Sequence, residues 1–398
     1  MNILFLSYWG FNEGLSRATV HPHLNILADF EQVNTIVYVS IERDEERDFD
    51  LSGISGKTKH IPLYSKNIKH HYLNKINDFF SFPRSLESLI EENNIRLIIA
   101  RGTPAGALIW KIGRNKGIPF VVESFEPHGR YMIDAGVWGQ CDIKYTMQKQ
   151  WEAKQIKHAS FLLPVAENYR RKLIESGVDG EKIITVPCNV PLDQFAFSET
   201  KRKEIRKRLA IPEDALVGVY VGKFNGMYMG EEAIHLFQRA FDFFKDQFHL
   251  LIITPSNDEV NLLLDKHKLP VGRYNVLSSP HNEIPNFLSA SDFSFTPFKK
   301  FPSAKYLSPI KIGEYWANGL PTILTAGVGD EDAIISDTGL GAIYDPGKNN
   351  LDEVFQCIKE LLADKHHKEK ITALAVKYRN FHSTIEAYVE ILSSISEK

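Results

Sequence analysis

Lys311, Glu314 and Asn318 are spaced i, i+3 and i+7 in the stretch SPIKIGEYWANGLP, from Ser308 to Pro321. On a helix these three share a face, and Ile312, Tyr315 and Trp316 share the opposite, core-facing one. The ends are well marked: Ser308 is a good N-cap, Pro309 suits the first helical position, and Asn318-Gly319 supplies a C-cap. The interior is less favourable. Lys311 puts a cation in the first turn, against the helix dipole, at about 0.3 to 1 kcal/mol. Gly313 costs about 1 kcal/mol more relative to Ala. An anion bound at the helix start would resolve the first conflict, because the lysine and the free backbone N–H groups would converge on one charge. Gly313 would let a ligand lie against the turn. Glu314 could accept two hydrogen bonds from vicinal hydroxyls such as those of a ribose. The plainer reading, a surface Lys311–Glu314 pair worth a few tenths of a kcal/mol, explains neither the glycine nor the lysine's place.

Other stretches carry comparable residues. VGKFNGMYMGEEAI, 221 to 234, ends an apolar run with Gly222-Lys223 and then needs Gly226 and Gly230 before a helix. A cation fixed beside flexible backbone can neutralise a phosphate, although a solvated lysine in a turn is the simpler alternative. YWGFNEGLSR, 8 to 17, offers Gly10, Gly14 and a helix start to an anion, but it is not GxGxxG and suits a plain turn equally well. VVESFEPHGRYM, 121 to 132, brings Glu123, Glu126, His128 and Arg130 together after an apolar strand. Such groups could bond sugar hydroxyls or transfer a proton, whereas a single histidine is more often structural. FKKFPSAKYL, 298 to 307, with Lys299, Lys300 and Lys305, reads as a mobile basic lid.

These stretches are positioned by a chain of 398 residues, too long for one core and suited to two domains. Hydrophobic content of 43% and charged content of 24% are those of a folded soluble protein, which excludes general disorder. A net charge of −3 gives no overall attraction to nucleic acid. Cys141, Cys188 and Cys357 lack metal spacing and read as buried thiols in a reducing compartment. MNILFLSYWG reads as a first strand rather than a leader, and no apolar run approaches the ~18 residues that span a membrane. The expected location is cytoplasmic, at most peripheral at a membrane.

Apolar, β-branched runs at 2–8, 35–41, 96–100, 119–125 and 161–166 alternate with helical segments. After a linker at VPCNVPLDQFAF, 186 to 197, the series repeats at 216–222, 249–254, 274–279, 293–298, 321–326 and 341–345. The expected fold class is α/β, with two doubly wound Rossmann-like domains facing across a cleft. Their bounds are 1–195 and 196–375, with a terminal helix over 376–398 packing back on the first.

Taken together, SPIKIGEYWANGLPTI, EKIITVPCNVPLDQF, YVGKF and HNEIPNFLSASDFSFTPF resemble the retaining glycosyltransferases of the GT-B fold, glycosyl transferases group 1, across essentially the whole chain. The resemblance implies a nucleotide-diphospho-sugar donor bound by the second domain and an acceptor held by the first. It gives Glu314 the ribose, Lys223 and Gly222 the donor diphosphate, and Gly14 the N-terminal glycine loop. His128 falls near the family's histidine, and Ser308 and Lys311 complete the donor set. The family's first glutamate falls at Tyr306, so sugar contacts would come from the loop Tyr306-Leu307-Ser308, or from Glu123, Glu126 and Arg130. A basic residue expected near Tyr228-Met229-Gly230 is replaced, with Lys311 as its substitute.

On this resemblance the chemistry is transfer with retention by front-face attack, His128, Lys223 and Glu314 carrying it, with no metal or cofactor. The acceptor is a glycan or a lipid-linked sugar, in surface polysaccharide synthesis. SKNIKHHYLNKINDFFSFPR, 65 to 84, interleaves basic residues with Tyr72, Phe79, Phe80 and Phe82, which suits an anionic membrane or, equally, a solvated helix with an aromatic core face. A nucleotide-sugar epimerase or hydrolase, and a sugar-nucleotide-binding partner without turnover, share the architecture.

Overall fold

The computed structural model describes residues 1–43, 48–65 and 71–396, without the side chains of residues 71–77 and 80. The chain divides into two compact units. One comprises Met1–Ile133, Trp138–Pro187 and His382–Lys398, the other Asp134–Val137 and Cys188–Phe381. Apart from the short excursion Asp134–Val137, the changeover lies inside the expected linker, at 187/188 where 195/196 was expected, and the terminal segment of the first unit starts at His382 where 376 was expected.

In the first unit, β1 (Asn2–Ser7), β2 (Thr35–Glu42), β3 (Thr58–Tyr64), β4 (Ile95–Arg101), β5 (Phe120–Phe125) and β6 (Phe161–Pro164) form one sheet. Its order is β3-β2-β1-β4-β5-β6, with every neighbouring pair parallel. Ile3 to Leu6, Ile36 to Val39 and Leu97 to Ala100 are all at 0% exposure, as strands covered on both faces require. The terminal helix His382–Ser396 gives Ala387, Tyr388, Ile391 and Leu392 to this core. Burying each of the two larger aliphatics stabilises by about 1.5 to 3 kcal/mol.

In the second unit, β7 (Leu216–Val221), β8 (Phe248–Ile253), β9 (Tyr274–Leu277), β10 (Phe293–Thr296), β11 (Thr322–Thr325) and β12 (Gly341–Tyr344) are ordered β12-β11-β10-β7-β8-β9, again parallel throughout. Each sheet therefore reverses its winding once, between β1 and β4 and between β7 and β10. Beyond the carboxyl ends of such a pair, the loops part and leave room for a ligand.

The three cysteines form no disulfide. Cys188 and Cys357 are half-buried, but Cys141 is exposed, which corrects the expectation of three buried thiols. Among the described residues no helix is long and apolar enough to cross a membrane. Of the aromatics expected at a membrane face, Tyr72 and Phe80 lie outside the described side chains. Phe79 stacks on Trp151 with ring centroids 4.3 Å apart and Phe82 is 5% exposed, so these two serve packing.

Candidate functional site

The turn of winding between β7 and β10 is where the second unit gathers unusual residues. β7 runs into Gly222, whose φ of +140° is open to glycine. The loop that follows is pinned rather than loose: Met229 N–H donates to Pro297 O at 3.2 Å, Lys299 N–H to Met227 O at 2.9 Å, and Tyr228 bridges to Phe298. Phe298 is itself the second residue after β10. The expected lid is likewise anchored, since Lys300 Nζ lies 2.9 Å from Asp345 and Phe301 is 8% exposed.

Into this corner the helix Ile310–Ala317 projects Lys311. The lysine is 7% exposed, and among the described residues its ammonium meets no hydrogen-bond acceptor. Three rings surround it instead. Nζ lies 4.2 Å from the centroid of Tyr228, 4.9 Å from Tyr220 and 5.9 Å from Phe298. Ring faces compensate a cation only in part, by about 0.5 to 2 kcal/mol. Burial accordingly pushes the Lys311 pKa down to about 7, with Glu314 pulling the other way. A Cβ on Gly222 would sit 2.5 Å from Nζ, so the glycine makes the space the ammonium occupies. Tyr228, standing where a basic residue was expected, is the ring nearest this charge.

One turn on, Glu314 is 3% exposed and accepts a 2.7 Å hydrogen bond on Oε1 from Nε2 of His281. That bond raises the His281 pKa, against the opposing effect of burial. Lys223 is exposed at the strand end, and its carbonyl accepts from the Tyr220 hydroxyl.

Several sequence expectations for this helix change. Ser308 does not cap it: Pro309 is the N-cap residue, and the Ser308 hydroxyl accepts from the Cys188 N–H at 3.1 Å and from Arg379. Its side chain fastens the linker, so a donor contact from Ser308 would have to come from its backbone. Asn318 does not face a ligand either. It is fully buried, and Nδ2 donates to Phe195 O at 2.9 Å. Gly313 has a structural cause: a Cβ there would lie 2.8 Å from Val190 Cγ2 and 3.1 Å from Arg379 Cγ, so the glycine admits the linker rather than a sugar. Gly313→Ala should therefore lose about 1 to 3 kcal/mol in urea unfolding through overpacking. A gain of about 1 kcal/mol from helix propensity, with a raised KM, would instead restore the ligand reading. Ile312, Tyr315 and Trp316 are at 0% exposure, as the pattern predicted.

Tyr306 is half-buried in the turn Ala304–Tyr306 with Lys305 Nζ 5.3 Å from its ring, and Leu307 is 8% exposed.

In the first unit, Glu123 on β5 is 1% exposed. Its carboxylate accepts from Arg101 Nη1 on β4 at 3.1 Å and from the Tyr388 hydroxyl, with His23 Nδ1 at 3.4 Å. Burial alone would raise its pKa, but these partners overcome that and hold it down to about 2. Burial, with the neighbouring Arg101 charge, lowers the His23 pKa, whereas the Arg101 guanidinium is a permanent countercharge to Glu123. Glu123 is thus removed from the sugar-contact candidates. Glu126, His128 and Arg130 remain nearer the surface. His128 begins the helix His128–Asp134, with Nδ1 3.4 Å from Glu126 Oε1 and its ring edge-on to Trp138 at 5.8 Å. Gly14 opens a short helix where a Cβ would meet nothing within 4 Å, so no packing demand accounts for it. His281 is the residue that sequence reasoning passed over. Nothing near it in the chain marks it, because its partner is 33 residues away.

Residues 201–377, spanning β7 to β12 and the helix that carries Lys311 and Glu314, match the family described as Glycosyl transferases group 1. That match covers the greater part of the second unit. Known structures extend the likeness of fold to both units, and the fold is GT-B. A sucrose-phosphate synthase (tll1590) from Thermosynechococcus elongatus superposes with a TM-score of 0.79 at 16% identity, over 100% of this chain and 99% of that one. Anabaena Alr3699/HepE in complex with UDP-glucose gives 0.70 at 14%, over 99% and 100%. S. aureus MnaA with UDP gives 0.62 at 14%, over 98% and 95%. No curated protein matches the chain by sequence. The matched segment includes the helix that holds both Lys311 and Glu314, with Lys311 at its sheet's winding reversal.

Proposed function

We propose that this protein is a retaining glycosyltransferase that moves a sugar from a nucleotide-diphospho-sugar to a glycan or lipid-linked acceptor. The observation that carries the reading is the Lys311 ammonium, buried at the ends of β7 and β10 without an acceptor among the described residues. Leaving a buried donor unpaired costs about 1 to 3 kcal/mol, more for a charge, and a bound diphosphate would recover it. Glu314, one turn further on, would accept from the ribose diol, and Lys223 would meet the diphosphate from its exposed strand end. Support from elsewhere is that HepE is known with UDP-glucose and MnaA with UDP, on the same fold.

In this reading the departing diphosphate develops negative charge as the glycosidic bond breaks. Lys311 and the N–H groups at its helix start are fixed in advance to stabilise it, which is where such electrostatic catalysis gains most. The acceptor hydroxyl attacks from the same face and passes its proton to the leaving diphosphate. His128 is the first unit's candidate for holding sugar hydroxyls. Lysine charge, rather than a divalent cation or other cofactor, balances the diphosphate, and the setting is the cytoplasmic face of surface polysaccharide synthesis.

A screen of UDP-, GDP- and ADP-sugars should raise the melting temperature with one base in particular. Lys223→Ala and Glu314→Ala should each weaken that stabilisation by about tenfold in concentration dependence. No stabilisation by any nucleotide sugar would overturn the assignment, and donor turnover without any acceptor would indicate hydrolysis or epimerisation instead.

A further inference from the structure

We propose that His281 is the positioning residue for Glu314, holding one carboxylate oxygen so that the remaining acceptor positions meet the 2′- and 3′-hydroxyls of a nucleotide ribose. This rests on the donor-site reading above. His281 opens the turn His281–Glu283 beyond β9 and donates through Nε2 to Glu314 Oε1 at 2.7 Å. Its imidazole is 44% exposed while the carboxylate beneath is 4% exposed, so the histidine stands between the buried acid and the surface.

The imidazole is itself held from the other side. Phe195, 2% exposed, places its ring 5.6 Å from that of His281. The Phe195 carbonyl in turn accepts from Asn318, at the end of the helix that carries Glu314. A closed circuit results: Glu314 to His281, His281 to Phe195, Phe195 to Asn318, and Asn318 back along the helix. A side chain braced this way orients a carboxylate rather than swinging clear of it. An ionised carboxylate has about four lone-pair positions, so one bond to His281 leaves enough for two hydroxyls. Glu314 is the ionisable group acting on His281, and Lys311 is the cation on the same helix that acts with Glu314.

The test compares binding of UDP, GDP and ADP with binding of their 2′,3′-dideoxy counterparts, the deoxy forms below, by calorimetry. Parent protein should prefer the ribonucleotide of its own base. His281→Ala should bind that ribonucleotide about tenfold more weakly while its affinity for the deoxy form stays unchanged. His281→Gln, which keeps a donor, should recover most of the preference. Unchanged ribonucleotide affinity in His281→Ala would overturn the proposal. Equal losses for both sugars would do so too, by making His281 a contact to base or phosphate. If the parent binds no nucleoside diphosphate, the donor site itself is wrong. Melting curves without ligand show whether each variant is folded, and His281→Gln carries the test if His281→Ala is not.

Discussion

Lys311→Met should melt several degrees above the parent near pH 6.5 and bind nucleoside diphosphates about 100-fold more weakly or worse. Methionine keeps the unbranched bulk among Tyr220, Tyr228 and Phe298 and removes a charge that no acceptor meets. The gain expected is about 2 kcal/mol, after loss of the ring contacts, or roughly 4 to 8 °C for a unit of this size. The sign with pH follows from burial, which lowers the Lys311 pKa from 10.5 to about 7. Between those two values the unfolded chain holds a proton that the folded one has released, so parent stability rises with pH across that window. The variant lacks this rise, and the two melting temperatures should draw together as pH climbs from 7 toward 10.5. A diphosphate at Nζ would restore the proton, so binding by the parent should take up a proton near pH 8 and weaken by up to about tenfold per pH unit above 7. Tight binding by Lys311→Met, or a melting temperature below the parent's, would remove the lysine from the donor site.

Glu123→Ala should lose about 3 to 5 kcal/mol, because it leaves Arg101 buried at 4% exposure without its countercharge and Tyr388 without its acceptor. Urea unfolding would measure it, and Glu123→Gln combined with Arg101→Met should recover much of the loss, since no lone charge remains. In acid the carboxylate's contribution should be present above 4.5 and fade as pH falls toward 2, the direction set by a pKa held below its unfolded value. Were Glu123 instead a sugar-binding group, the variant would keep its stability and lose KM.

Much of the fold is legible from local pattern. Eleven of the strand positions announce themselves as apolar runs, because parallel strands between two helix layers have no polar face. β3 does not: it is an edge strand of partly exposed residues that includes Pro62, and only its pairing with β2 makes it a strand. The site divides along the same line. Lys311, Glu314 and Gly222 could be picked out because a helix start and a strand end are local features. The meaning of Gly313 could not, since Val190 and Arg379 reach it from distant parts of the chain. Nor could the fate of Glu123, whose partners lie on β4, on the helix His21–Asp29 and on the terminal helix. Residue type indicated a charged group at a strand end in both places. Long-range packing decided which one is spent on holding the protein together.

The pairing of Glu123 with Tyr388 spans 265 positions of sequence. During synthesis the ribosome has therefore made all of Cys188–Phe381 before the hydroxyl that completes the first sheet's charge network leaves the exit tunnel. Domains usually finish in the order they are made. Here the earlier-made unit is the one that must wait, with a buried carboxylate short of one partner and a bare patch where Ala387, Ile391 and Leu392 will dock. The last turns of the chain act as the closing stitch of the first unit.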